Sequence, residues 1–83
     1  MATLIVSIPA DRGIRGALPV QVSVYTAQGR VVRRLYDGRM QPGQNKLFWD
    51  AKTDSGIPVA SGVYCVTART SLGELSRKIV VLR

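Results

Sequence analysis

Histidine is missing from the 83 residues, and cysteine occurs once. The missing histidine removes the commonest general base and the commonest metal ligand. Cys65 can form no internal disulfide, and no imidazole is present to activate its thiol as a nucleophile. It lies between Tyr64 and Val66 in an apolar run, where a free cysteine is expected to act as a small buried hydrophobe. Tryptophan and phenylalanine occur once each, so Trp49 is expected to fill a core rather than to stack on a ligand. No apolar run nears the roughly 18 residues of a membrane span. The stretch from Met1 to Pro9 has no basic leader, and its apolar run is too short for a signal peptide. The expectation is therefore a chain that acts where it is made, or a piece of a longer exported one.

Acidic residues are also few. Five Asp and Glu face twelve Lys and Arg, a net charge of +7. Such an excess raises the possibility of a polyanion partner: nucleic acid, acidic polysaccharide or anionic lipid. The basic residues are spread along the whole chain, and the tightest group is Arg30, Arg33 and Arg34. Strict strand alternation would put Arg33 and Arg34 on opposite faces, so this candidate basic patch reads more naturally as solvated surface. Tyr25 and Tyr36 flank it, the one place where aromatic and basic residues interleave, but no nucleic-acid-binding motif accompanies them.

What the chain does have is period-two patterning. Leu4, Val6 and Ile8 fall on one side of an alternation and Thr3, Ile5 and Ser7 on the other up to Pro9, a first strand ended by proline. Residues 10–18 read as a loop. Pro19 introduces Val20-Gln21-Val22-Ser23-Val24-Tyr25-Thr26, with the three valines facing a core. Ala27-Gln28-Gly29-Arg30 is a tight turn in which Gly29 takes a positive φ, and it leads into a strand over 31–36. Asp37-Gly38 is expected to break that strand, and Gln41-Pro42-Gly43-Gln44 to form a type II turn. Strands follow over 45–50, 62–70 and 75–82, the last two joined at Ser71-Leu72-Gly73-Glu74. No apolar stripe of helical period is present. Six strands, or seven with Ile57-Pro58-Val59, predict an all-β antiparallel sandwich, one domain over residues 1–83.

The chain is organised around residues 49–64. Trp49 ends one apolar strand, a polar bend crosses Asp54, Ser55 and Gly56, and Gly62 and Tyr64 open the next strand. Tyr64 is expected to bury its ring and bond backbone through its hydroxyl. Asp50 and Asp54 form the only paired carboxylates. Their spacing is not the alternate-residue pattern of a calcium loop, and they are expected to accept backbone N–H bonds in the bend. No catalytic residue, cofactor site or metal site is expected.

Val20-x-Val22-x-Val24-Tyr25-x-x-x-Gly29-Arg30-x-Val32-Arg33-x-Leu35, then Pro42-Gly43, Trp49-Asp50, Asp54-x-Gly56, Val59-x-x-Gly62-Val63-Tyr64 and the terminal Lys78-Ile79-Val80-Val81-Leu82 together resemble the FlgD Ig-like domain and the related C-terminal sorting domains of type IX secretion substrates. The likeness covers roughly residues 4 to 83. Two turn positions depart from it. Thr26 stands where such domains usually have Asp, and Ala51 where they usually have Gly.

The resemblance implies a non-enzymatic immunoglobulin-like (fibronectin type III-like) sandwich at the C-terminus of an exported bacterial protein, at the cell surface or outside the cell. Its expected partners are proteins: secretion or surface machinery, or neighbouring domains. The hook-capping protein carries this kind of domain interrupted by an inserted one and preceded by a hook-binding region. Neither is present in these residues, so hook capping is not the expected role. The alternatives are a self-assembling structural subunit pairing through edge strands, and a basic domain that binds nucleic acid or another polyanion.

Overall fold

The computed structural model describes residues 2–8, 17–71 and 73–82. They form six strands: β1 (Ala2–Ile8), β2 (Leu18–Thr26), β3 (Val31–Met40), β4 (Gly43–Trp49), β5 (Gly62–Thr70) and β6 (Gly73–Val81). All pairings are antiparallel. β1 and β4 make a two-stranded sheet, and a four-stranded sheet runs in the order β3-β2-β5-β6. The expected break at Pro9, residues 10–16 of the loop expected over 10–18 and the side-chain facing of Leu4, Val6 and Ile8 lie outside the described residues. Leu18, expected in that loop, instead opens β2, because it pairs with Met40.

The valine ladder of β2 builds the core. Val20, Val22 and Val24 are almost wholly enclosed, while Gln21 faces solvent. Tyr64 and Val66 of β5 and Val81 of β6 extend the same inner face. Leu18 and Met40 close one end, and Trp49, Ala51 and Val59 lie against the ladder. Burying a side chain of valine size stabilises by about 1.5–3 kcal/mol, so the three valines and Trp49 are the centre of the fold.

The β2–β3 hairpin closes as the turn chemistry requires. Gly29 has φ 87° and donates its N–H to the Thr26 carbonyl at 2.9 Å. The Thr26 N–H reaches the Arg30 carbonyl at 2.8 Å, and the Thr26 hydroxyl accepts the Arg30 N–H at 3.1 Å. A threonine oxygen thus does here what an aspartate would do at the same position.

β3 departs from the sequence expectation in two ways. It does not stop at Asp37-Gly38 but continues to Met40, because its pairing with β2 carries on through Gln21↔Asp37, Val20↔Gly38 and Leu18↔Met40. Tyr36 covers the bare backbone of Gly38: a Cβ there would meet the Tyr36 hydroxyl at 3.3 Å, and that hydroxyl donates to the Arg39 carbonyl at 2.5 Å. β3 also carries two register shifts, one between Val22 and Ser23 and one between Val24 and Tyr25, so Leu35 and Val32 have no opposite residue on β2. Both extra residues pack on the core. Each shift breaks the period of two, which turns Arg33 inward opposite Val24.

Ile57-Pro58-Val59 is not a strand; it contributes the single bridge Lys52↔Pro58. Gly43 has φ 108° at the start of β4, where the bend from one sheet to the other needs it.

Candidate functional site

The bend between β4 and β5 carries a dense set of hydrogen bonds among the described residues. Trp49 is fully buried, and its indole N–H donates to the Lys52 carbonyl at 3.0 Å. Its ring meets that of Tyr64 edge to face, and the Tyr64 hydroxyl donates to the Ala60 carbonyl at 2.7 Å. Between these anchors, Asp50 accepts the Lys52 N–H at 3.2 Å. The Gly56 N–H reaches the Thr53 carbonyl at 2.9 Å, and the Ile57 N–H reaches the Thr53 hydroxyl at 3.2 Å. Gly56 has φ 84°, a value that favours glycine. Gly62 needs no such freedom and simply begins β5 beneath the Tyr64 ring.

Asp54 has a second task that its sequence neighbours do not reveal. Its N–H donates to the Val32 carbonyl at 3.2 Å, and its carboxylate accepts the Arg34 N–H at 3.0 Å. The bend is therefore stitched to the outer edge of β3. Arg33 completes the seam, donating to the Thr53 carbonyl at 3.2 Å and standing 3.9 Å from both Asp50 and Asp54. Partly exposed pairs at that separation add little energy; their effect is to orient the guanidinium. Among the described residues no group of three or more His, Cys, Asp or Glu side chains comes together to hold a metal ion. Every polar side chain named in the bend faces a backbone partner, which is the chemistry of a structural corner.

Arg30, Arg33 and Arg34 are not one basic patch. Arg30 lies in the exposed hairpin turn, Arg33 points into the corner, and Arg34 lies on the opposite side of β3. What Arg34 joins is a groove of about 290 Å³ shared with Tyr25, Tyr36 and Arg69. Arg69 comes from β5, and only the strand pairing Gln21↔Arg69 brings it there, so no local sequence signal marks it.

A second groove, of about 620 Å³, lies on the same outer face between the hairpin turn, β5 and β6. Tyr25, Cys65, Thr67, Arg69, Glu74 and Lys78 line it. Cys65 is half-buried, which corrects the expectation of a core position. β5 alternates Tyr64 inward and Cys65 outward, so the two neighbours in the apolar run face opposite ways. Thr67 is buried and shares a hydrogen bond of 3.1 Å with the Ser76 hydroxyl, and Arg69 pairs with Glu74 at 3.0 Å.

The family model of the FlgD Ig-like domain matches residues 14–74 of the chain. No curated protein and no solved structure matches it.

Proposed function

We propose that this chain, which belongs to the FlgD Ig-like domain family, is a non-catalytic sandwich module of an exported bacterial protein that serves its sorting, surface attachment or assembly. The observation that carries the reading is the use made of residues that carry the resemblance. Trp49, Asp50, Asp54 and Tyr64 all spend their polar atoms on backbone of the corner or of β3. A residue set whose hydrogen bonds hold strands together supports a structural rather than a catalytic use. The two sheets share one core through Trp49 at the end of β4, which supports the two-layered immunoglobulin-like arrangement. On this reading the module works outside the cell or at its surface, and its outer face and strand edges are what a secretion or surface machinery would recognise.

Fusing these residues to an exported reporter tests it, in a host that has type IX secretion machinery. Delivery of the reporter to the cell surface is expected; retention in the periplasm would overturn the sorting role.

A second reading, self-assembly through edge strands, is favoured by one observation. β6 is an edge of the four-stranded sheet, and Leu75, Val80 and Leu82 stand exposed along and just beyond it. Polyanion binding has weaker support, since Arg33 is occupied by the corner. A salt titration on heparin separates it from the other two, because binding through phosphate or sulfate contacts weakens steeply as salt rises.

A further inference from the structure

The two edges of the four-stranded sheet are not equivalent. At β3, Asp54 occupies both the Val32 carbonyl and the Arg34 N–H, and the two register shifts twist the strand there. Both are devices that stop another strand from pairing. β6 has neither. It runs nine residues with one side paired to β5 and, among the described residues, nothing on the other. Every residue from Gly73 to Lys78 is exposed.

We infer that a second copy of this chain covers β6, the two strands running antiparallel about a two-fold axis and joining two four-stranded sheets into one. The inference rests on the assembly reading and specifies its edge and its register. Glu74, Ser76 and Lys78 share the outer face of β6, because they pair with Arg69, Thr67 and Cys65. Setting Ser76 opposite the partner's Ser76 places Glu74 opposite the partner's Lys78, and symmetry repeats the pair. A slip that sets Glu74 or Lys78 opposite its own copy brings like charges together, which is destabilising. Glu74 uses one carboxylate oxygen for Arg69 at 3.0 Å, so the other is available to the partner's lysine. Lys78 has no ion-pair partner in its own chain among the described residues. Two copies of net charge +7 repel at long range, but at about 0.15 M salt the screening length is about 8 Å. That damps the general repulsion and spares a contact pair.

Sedimentation equilibrium over a concentration series at that salt, with hydrogen exchange of the β6 amides, tests the inference. The expected result is a dimer whose β6 amides become protected as concentration rises. Lys78→Glu and Glu74→Lys each weaken association by about tenfold or more, since two attractive pairs become two repulsive ones. The double variant restores it to within about threefold. Circular dichroism checks that each variant folds; if Glu74→Lys does not, Lys78→Glu and Glu74→Gln carry the test, both weakening association. An oligomer indifferent to these charges, or one with β6 amides unprotected, overturns the β6 interface and leaves assembly by another surface standing. A monomer at all concentrations overturns both.

Discussion

Trp49 and Tyr64 meet with ring centroids 5.5 Å apart and planes inclined at 69°. The edge-to-face geometry suits the aromatic quadrupoles. Each ring is buried while its single polar atom reaches a backbone carbonyl, Lys52 for the indole and Ala60 for the phenol. The pair therefore holds the corner from inside and ties its two arms from the same place.

Removing the two contributions separately should give unequal losses. Trp49→Ala empties the largest fully buried site in the core and is expected to lower stability by about 3–5 kcal/mol. That is enough to unfold much of a domain this small. Tyr64→Phe keeps the ring contact and loses only the 2.7 Å bond to Ala60, for about 0.5–1.5 kcal/mol. Urea unfolding followed by circular dichroism measures both. Equal losses would mean that the hydroxyl bond, not the ring packing, dominates the corner.

Ala51 has φ 60°, the one non-glycine residue with positive φ among those described, at a turn position where the family resemblance leads to an expectation of Gly. An L-residue held there carries roughly 1–2 kcal/mol of strain. Ala51→Gly relieves it but loses about 0.8 kcal/mol of methyl burial and loosens the unfolded chain by about 0.5–1 kcal/mol. The terms nearly cancel, so the variant should lie within about 1 kcal/mol of the parent. Ala51→Val has no such offset: a β-branched side chain is an outlier at positive φ, and its added bulk at a buried site costs about 1–3 kcal/mol more. Thermal melts of the three proteins decide. A valine variant as stable as the parent would show that the bend relaxes out of the left-handed region.

Local signals made much of this legible from the chain alone. The valine alternation of β2, the glycine of the hairpin and the pairing of a lone tryptophan with a tyrosine across a glycine-bearing bend are short-range patterns, and each has a direct physical reading. The length of β3 was not legible. Asp37-Gly38 is a turn signal by itself, and only the β2 partners opposite it keep the strand extended. Nor was the direction of Arg33, because the register shifts that turn it inward depend on pairing across the hairpin. The role of Asp54 toward Val32 and Arg34 spans about twenty residues, beyond any local pattern. The outer-face grouping of Tyr25, Cys65 and Lys78 likewise exists only once β2, β5 and β6 lie side by side.

Cys65 gives a simple check on that outer face. It lines the 620 Å³ groove and is half-buried, so a small maleimide should label it fully in the folded protein. The rate should not depend on denaturant well below the unfolding midpoint. If labelling instead tracks global unfolding, the thiol belongs to the core and the strand alternation of β5 is shifted by one residue.

Asp54 joins the stability of the corner to the choice of edge. Its carboxylate holds the Arg34 N–H at 3.0 Å in an exposed setting, where water replaces a lost bond at modest cost. Asp54→Ala should therefore lower stability by only about 0.5–1.5 kcal/mol. Asp54→Asn keeps an acceptor in place and should lose less, which separates the hydrogen bond from the charge. The larger consequence concerns association. On the inferred β6 pairing, Asp54 keeps the β3 edge closed and association ends with two copies. Without the side chain, the Arg34 N–H is free and a second edge becomes available to a further copy. Two open edges on one sheet allow growth without closure, so the alanine variant should form species larger than a dimer at concentrations where the parent and the asparagine variant do not. Light scattering across a dilution series reads the difference. If the alanine variant stays the size of the parent, the register shifts alone are sufficient to guard β3.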